Sequence, residues 1–147
     1  MTNNEFQKLM EMNKHFEKSE IFLPVAGEKS ISFKILSDTT KDIFYLDTDR
    51  KSSISLTKKK LQERHKNTNI IMIRLEIDCR PHMFADGSFS SRNHIHIFDE
   101  KLGNITYDLS NGFDKIFHDI NDFNAVFQDF CKYCNIRTDT VNIQGVL

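Results

Sequence analysis

The spacing of hydrophobic residues changes from helical to alternating within the first fifty positions. Apolar residues three and four apart, preceded by Thr2 to Asn4 as candidate caps, predict an amphipathic helix over residues 4–18. Alternation then predicts strands over residues 30–37 and 41–49. The Ser-Asp-Thr-Thr sequence between them favours a turn, because these side chains hydrogen-bond their own backbone, so the two strands form a predicted hairpin.

The middle of the chain combines a polar stretch with the most strand-like segment. Alternation predicts a short strand over residues 53–57, whereas residues 58–67, KKKLQERHKN, lack an apolar face and predict an exposed short helix or loop. Residues 69–78 alternate throughout and predict a central strand. Its two predicted faces carry Ile71, Ile73, Leu75 and Ile77 on one side, and Met72, Arg74, Glu76 and Asp78 on the other.

A second hairpin is predicted after this strand. Residues 94–98 and 104–109 alternate, and Gly103 between them suits a tight turn. If the alternate isoleucines of these strands face the core, the intervening side chains point to the opposite face of the sheet. The predicted open face then carries a polar set from three neighbouring strands: Arg74, Glu76, His94, His96, Thr106 and Asp108.

The C-terminal part of the chain predicts helices and a last strand. Apolar residues at helical spacing over residues 113–134 predict a Phe-rich helix, which Asn121 and Asp122 divide in two by capping a new start. Residues 139–147 predict a final strand. Together the elements predict an α+β fold: an antiparallel sheet of five or six strands, with the N-terminal helix and the Phe-rich C-terminal helices packed on one face. At 147 residues, the chain fits a single domain.

Composition excludes several classes of protein. Hydrophobic residues make up 39% and charged residues 28%, which favours neither disorder nor a membrane protein. The apolar stretches are shorter than the roughly 18 residues of a transmembrane helix, and the N-terminus lacks the pattern of a secretory signal. Three cysteines are too few for a disulfide scaffold, and Cys131 and Cys134 extend the apolar stripe as expected buried thiols. We therefore expect a cytoplasmic protein with no membrane partner.

The long loop before residue 94 supplies further candidate residues. It contains Arg80, His82 and Asp86, and it is expected to fold over the open face at the ends of the strands. His82, His94 and His96 thus fall within fifteen residues of one another. An ordinary solvated face of an antiparallel sheet would also accommodate such side chains, and this interpretation remains open.

Imidazoles on such a face suit RNA cleavage without a metal. One takes the proton of a ribose 2′-hydroxyl, another protonates the leaving oxygen, and an arginine stabilises the charge on the phosphate. The predicted catalytic residues are His82, His94, His96, Arg74, Arg80 and Glu76. No cofactor is required, but an alternative is a zinc ion bound by the three histidines, with a coordination position left for water.

Charge is unevenly distributed along the chain and predicts a nucleic-acid contact. The net charge is −1, yet residues 50–66 carry seven Lys or Arg against one acid. Five cations of this region are candidates for phosphate contacts, namely Lys58, Lys59, Lys60, Arg64 and Lys66. Such binding weakens as salt rises. A solvated polar face is the other interpretation, and Phe84 and Phe89 in the long loop are candidates for stacking on bases.

Several short motifs lie between residues 55 and 100: a Q-x-R after a lysine, an R-L-E strand, a P-H, a D-G, and an H-x-H followed by an aromatic residue. Their positions are Gln62, Arg64, Arg74, Leu75, Glu76, Pro81, His82, Asp86, Gly87, His94, His96 and Phe98. This pattern resembles an uncharacterised small-protein family of low-GC Gram-positive bacteria and their phages or mobile elements. The resemblance implies an accessory role in a bacterium or phage.

Two function hypotheses follow from the sequence. The first is a small accessory protein that acts on nucleic acid, as a metal-independent ribonuclease of toxin type with RNA as its partner. The alternative is a non-enzymatic phage or mobile-element protein that binds and inhibits a host defence protein. Replacement of His96 by alanine separates them, because a catalyst would lose turnover while a binding module would lose affinity.

Overall fold

The chain folds into a large sheet, a two-stranded sheet and two α-helices over residues 1–51 and 56–145, the residues that the computed structural model describes. The helices are α1, Asn3–Glu11, and α2, Phe123–Tyr133, with a 3-10 turn at Phe113–Lys115. The strands are β1 Lys14–Phe16, β2 Glu20–Phe22, β3 Ile31–Ser37, β4 Ile43–Asp49, β5 Lys59–His65, β6 Ile70–Ile77, β7 His94–Asp99, β8 Gly103–Asp108, β9 Ile136–Arg137 and β10 Asn142–Gln144. The predicted α+β class is confirmed.

The sheet is larger than the sequence pattern predicted and is not purely antiparallel. Its eight strands run in the order β8-β7-β6-β5-β4-β3-β1-β9. Neighbouring strands are antiparallel except β1 and β9, which are parallel. The prediction of five or six antiparallel strands was wrong because the strands at one end of the sheet, β1 and β9, are only three and two residues long. Such short segments carry no readable alternation.

Helix α1 is shorter than predicted. It begins after the N-cap Thr2 and ends at Glu11 rather than at residue 18. Residues 14–16 form β1 instead, where Phe16 packs edge-on against Phe33 of the neighbouring strand at a centroid distance of 6.2 Å. Strand pairing, and not a helical face, therefore accounts for the burial of Phe16.

Helix α2 covers the hydrophobic face of the sheet. Its N-cap is Asp122, whose side chain accepts a hydrogen bond from the amide of Asn124, so the predicted break in the Phe-rich segment is confirmed. The part before the break forms only the 3-10 turn, not a helix. The residues of α2 and its C-cap that are completely buried are Val126, Phe127, Phe130, Cys131 and Cys134. The two cysteines are free thiols in the core, as predicted.

The stretch predicted as an exposed helix or loop over residues 58–67 is in fact the interior strand β5. Its residues alternate between buried and half-buried, and the buried ones are Lys59, Leu61, Glu63 and His65. The prediction was wrong because polar residues occupy three of the four core-facing positions. Each has a polar partner inside the protein, which offsets part of the cost of burial, although neither carboxylate oxygen of Glu63 accepts a hydrogen bond within the described residues.

Two of the three compensating partners come from distant segments. Glu63 lies 3.3 Å from the ammonium of Lys14, and both side chains are completely buried. His65 hydrogen-bonds the carboxylate of Asp42 at 2.8 Å through Nε2. Partners so far away in sequence leave no local hydrophobic pattern. The third partner is local, because the ammonium of Lys59 donates to the backbone carbonyl of Thr57 at 3.0 Å.

A β-bulge changes the predicted faces of β6. The pairing register with β5 shifts, so that Glu63 lies opposite Ile73 while Arg64 lies opposite Ile71. The extra residue, Met72, points into the core together with Ile73, and Ile71 points to solvent. The faces predicted for Ile71 and Met72 were therefore wrong, whereas those predicted for Leu75 and Ile77 are confirmed.

Two predicted strands remain to be compared with the structure, one in the C-terminal tail and one before β5. Strand β10 lies within the predicted residues 139–147 and pairs in parallel with β2. The strand predicted over residues 53–57 falls mostly on residues 52–55, which lie outside the described residues, and residues 56 and 57 form a turn. In the part of the chain that the structure describes, no helix has the length and apolarity needed to cross a membrane.

Candidate functional site

Three adjacent strands bring the predicted polar residues onto one face of the sheet. Glu76 of β6 lies opposite His94 of β7, and Arg74 lies opposite His96. Across the next pair of strands, His96 lies opposite Thr106 of β8. This face, which we call the open face, is the one opposite the hydrophobic core. The grouping predicted from side-chain parity is therefore observed.

Glu76, His94 and His96 form a compact group on the open face, which we call the Glu–His–His cluster. Oε2 of Glu76 lies 2.9 Å from Nε2 of His94 and 2.8 Å from Nε2 of His96. The side chains of His94 and His96 are only 1% and 8% exposed. Two imidazoles and a carboxylate from neighbouring strands thus converge on one point.

The outer nitrogens of both rings are also hydrogen-bonded. Nδ1 of His96 lies 2.7 Å from the hydroxyl of Thr106. Nδ1 of His94 lies 3.2 Å from the carbonyl oxygen of Ser91 and 3.3 Å from the hydroxyl of Ser90. Since all four ring nitrogens are engaged, a hydrogen bond must open before either ring exchanges a proton with a substrate. The predicted general acid and base roles of His94 and His96 stay predictions.

The cluster perturbs the protonation of its own members and of their neighbour. Burial alone would raise the pKa of Glu76, but hydrogen bonds from His94 and His96 and the charge of Arg74 lower this pKa well below its ordinary value. Burial, followed by repulsion from the rings of His96 and His94, lowers the pKa of His82. Glu76 is therefore ionised and His82 is neutral near pH 7.

The long loop between β6 and β7 brings His82 over the cluster. Its ring centroid lies 5.5 Å from that of His96 and 6.4 Å from that of His94. Two hydrogen bonds with Ser90 fix the loop at this point: the amide of His82 donates to the Ser90 hydroxyl at 2.9 Å, and the amide of Ser90 donates to the His82 carbonyl at 2.8 Å. The loop thus folds over the open face as expected.

The three histidines are close together, but they are not the tightest set of possible metal ligands. The ligand atoms that lie within 4.8 Å of one another belong to Glu76, His94 and His96. His82 stands beside this group. In the described residues no hydrogen bond engages its ring nitrogens, which distinguishes it from the other two histidines.

Two cations stand next to the cluster and line a cavity on the same face. Nζ of Lys60 lies 3.6 Å from Oε1 of Glu76, and Nε of Arg74 lies 4.0 Å from its Oε2. Lys60 and Arg74 both line a cavity of about 230 Å³, which Asp47 and Gln62 also line. An anionic group in this cavity would lie beside the cluster.

The predicted run of cations does not form one surface. Lys59 is buried on the core face of β5, so its predicted phosphate contact was wrong. Arg64 is paired with the carboxylate of Asp47 through two hydrogen bonds of 2.8 and 3.2 Å. Lys58 donates to a backbone carbonyl, and Lys66 is exposed at the end of the strand. Of the five cations, Lys60 is the one placed at the cluster.

The other predicted residues of the loop lie farther out. Arg80 and Asp86 are exposed, and Asp86 accepts hydrogen bonds from the amide and hydroxyl of Ser88 at the tip of the loop. Phe89 is exposed, whereas Phe84 is half-buried with its ring centroid 5.3 Å from that of His82. Arg80 makes no hydrogen bond to the cluster within the described chain.

Two features of the site escaped the sequence analysis. Ser90 and Ser91 hold the outer nitrogen of His94 and the loop, and no motif in the sequence indicates this role. Asp47 accepts hydrogen bonds from Gln62 and Arg64 on the adjacent strand and lines the same cavity. The alternation of Gln62 and Arg64 was a usable signal, had residues 59–65 been predicted as a strand.

A family model places the chain among known sequences. The model of a family of unknown function, DUF6978, matches residues 1–136, so the chain belongs to this family. The match is wider than the resemblance seen over residues 55–100 and includes the whole Glu–His–His cluster. No curated protein and no solved structure matches the chain.

Proposed function

We propose that this DUF6978 protein binds RNA on the open face and cleaves its phosphodiester backbone beside the Glu–His–His cluster. One observation carries the proposal. The guanidinium nitrogen Nε of Arg74 is buried but has no hydrogen-bond partner among residues 1–51 and 56–145. Buried donors without partners are rare, and the side chain that carries this one lines the cavity together with Lys60. A phosphate oxygen would supply the missing acceptor.

The charges around the cavity suit a phosphodiester. Lys60 and Arg74 present two positive groups next to the ionised carboxylate of Glu76. Two further carboxylates, Asp47 and Asp49, line the cavity, and the first of them is already paired with Arg64. A bound phosphate would be stabilised by both cations, and Arg74 would also stabilise the extra charge that develops on the phosphorus oxygens in the transition state.

His82 is the proposed proton acceptor, because its ring nitrogens carry no hydrogen bond within the described residues while those of His94 and His96 are engaged. In the proposed step, His82 takes the proton of a ribose 2′-hydroxyl and the 2′-oxygen bonds to phosphorus. The bond from phosphorus to the 5′-oxygen breaks, and the leaving oxygen takes a proton from water. The products are a 2′,3′-cyclic phosphate and a 5′-hydroxyl.

Equilibrium binding of a fluorescent single-stranded RNA tests the role of the cations. Lys60→Gln and Arg74→Gln are each expected to weaken RNA binding. Each should also reduce the magnitude of the slope of log affinity against log salt by about 1, the contribution of one phosphate contact. Lys115→Gln, which removes an exposed charge from the 3-10 turn, is the matched control. Equal affinity in the wild type and in both cavity variants would overturn the proposed site.

We further propose that the protein acts in the cytoplasm of a bacterium, as an accessory factor of toxin type encoded by the host, a phage or a mobile element. The free thiols Cys79, Cys131 and Cys134 support a reducing compartment.

A second candidate function is supported by the apolar surface of the long loop. Met83 and Phe89 form an isolated antiparallel bridge and are both more than half exposed. Exposed aromatic and methionine side chains are typical anchors of protein interfaces. A phage protein that inhibits a host defence protein would use this pair, and Phe89→Ser would then abolish the complex while Lys60→Gln would not.

A further inference from the structure

We propose that the Glu–His–His cluster is a mononuclear site for a divalent transition metal of the zinc class, bound through Oε2 of Glu76 and Nε2 of His94 and His96. These three atoms lie within 4.8 Å of one another, and all three come from adjacent strands of the rigid sheet interior. The inference concerns what the cluster binds, so it stands whether or not RNA is the substrate.

The donor set selects the class of metal. Two imidazoles and one carboxylate are the ligands of catalytic zinc sites in which water takes the fourth position. Mg²⁺ and Ca²⁺ prefer oxygen ligands, and a site with two nitrogen donors discriminates against them. Zinc is therefore the probe of choice, and Mg²⁺ is the negative control.

The hydrogen bonds of His94 favour a metal on its Nε2 atom. Nδ1 faces the Ser91 carbonyl, which only accepts, and the hydroxyl of Ser90, which donates to that same carbonyl at 2.7 Å. In the tautomer that satisfies the Ser91 carbonyl, Nδ1 carries the hydrogen. That tautomer leaves a lone pair on Nε2 pointing at the Glu76 carboxylate, where a metal ion between the two groups would accept it. With a metal on Nε2, one neutral tautomer satisfies both nitrogens.

The outer contacts of both rings match those of metal-bound histidines. Such histidines commonly donate the hydrogen of the other ring nitrogen to a carbonyl, carboxylate or water, which fixes the ring orientation. The Ser91 carbonyl takes this place for His94, and the Thr106 hydroxyl, at 2.7 Å from Nδ1, takes it for His96.

The two separations from the Glu76 oxygen need only a small expansion to accept the ion. Zinc lies about 2.0–2.1 Å from nitrogen and oxygen ligands, so tetrahedral ligand atoms are about 3.3 Å apart. The present separations from Glu76 Oε2 are 2.9 and 2.8 Å to His94 and His96. We assign the fourth position to water and not to His82, which differs from the three-histidine set expected from the sequence.

The test is a zinc titration of tag-free, chelator-stripped protein in the presence of a competing chelator. The wild type is expected to bind one Zn²⁺ per chain and no Mg²⁺. Glu76→Gln is expected to weaken zinc binding at least tenfold, and Thr106→Val, which removes only the outer contact of His96, by about 10- to 100-fold. His118→Ala, at a highly exposed histidine far from the cluster in sequence, and His82→Ala should stay within about twofold of the wild type.

Three results would overturn the assignment. The first is that the wild type takes up no zinc at micromolar concentration. The second is that Glu76→Gln and Thr106→Val both bind zinc as tightly as the wild type, and the third is that His82→Ala no longer binds the ion. Circular dichroism confirms that each variant is folded. If Glu76→Gln fails to fold, Thr106→Val alone decides, because Thr106 is partly exposed and its loss spares the three ligands. Zinc affinity is measured without RNA, so a failure of the proposed metal site can be told apart from a failure of the proposed RNA cleavage.

Discussion

Lys14 of β1 and Glu63 of β5 form an ion pair with no solvent exposure, at a distance of 3.3 Å between Nζ and Oε2. The ammonium also donates to the carbonyl of Cys134 at 2.8 Å and lies 4.7 Å from the centre of the Phe44 ring. The pair thus joins β1, β5 and the end of α2 through the core. Replacing either residue alone therefore leaves the other one buried without its partner.

The first prediction concerns this pair. Lys14→Met should destabilise the protein by about 3–5 kcal/mol, because Glu63 stays behind in an apolar environment. The double variant Lys14→Met/Glu63→Met should recover most of this loss, since no charged group then remains buried without its partner and only the Cys134 carbonyl loses a donor. Urea unfolding at pH 7 measures this variant, Lys14→Met and the other single variant, Glu63→Met. A double variant whose loss equals the sum of the two single losses would contradict the assigned pairing.

The second prediction tests the bulge in β6. Met72 is completely buried and Ile71 is 42% exposed, the reverse of what strict alternation predicts. Met72→Ala should therefore cost about 2–5 kcal/mol of unfolding free energy, and Ile71→Ala less than about 1 kcal/mol. The comparison uses urea unfolding of both variants. If Ile71→Ala were the more damaging change, the strand would have no bulge at this position.

The third prediction concerns the pH dependence of stability through Asp47. Burial alone would raise the pKa of Asp47, but hydrogen bonds from Arg64, Gln62 and Ser32 lower it below its unfolded value. A carboxyl with a lowered folded pKa stabilises the protein above its unfolded pKa, about 3.9, and loses this contribution as pH falls through the folded pKa.

Asp47→Asn should therefore destabilise the protein by about 1–3 kcal/mol at pH 7, and the gap to the wild type should narrow below about pH 4. Asp49→Asn, two residues along the same strand, is the control and should change stability by less than about 0.5 kcal/mol. Unfolding curves recorded between pH 7 and pH 3 give the comparison. A gap that is the same at every pH would argue against an ionised Asp47 in this network.

Sequence patterns identified the strands that carry the cluster because those strands alternate cleanly. Ile95 and Leu75 are completely buried, and their polar neighbours Glu76, His94 and His96 meet on the other face. Side-chain parity was enough to group these three residues. It could not show that the two imidazoles share one carboxylate oxygen, since that depends on the register between β6 and β7.

The sequence failed where polar residues enter the core or where long-range pairing decides the structure. Strand β5 was missed because Lys59, Glu63 and His65 look solvent-exposed until their partners are known. The last part of the predicted N-terminal helix was wrong because Phe16 fits helical spacing but pairs in a strand. For Glu63, His65 and Phe16 the deciding contact lies many residues away, beyond the range of any periodicity.

Cleavage of RNA by the purified protein is the decisive measurement for the proposed function. Tag-free wild type, His82→Ala and the control His118→Ala are incubated with single-stranded and structured RNA, each with and without EDTA. We predict cleavage by the wild type and His118→Ala, and a loss of about 100-fold in His82→Ala. Inhibition by EDTA would mean that a metal takes part, and cleavage in EDTA would favour histidine chemistry alone. Intact RNA in every reaction, or equal cleavage by His82→Ala, would contradict the account.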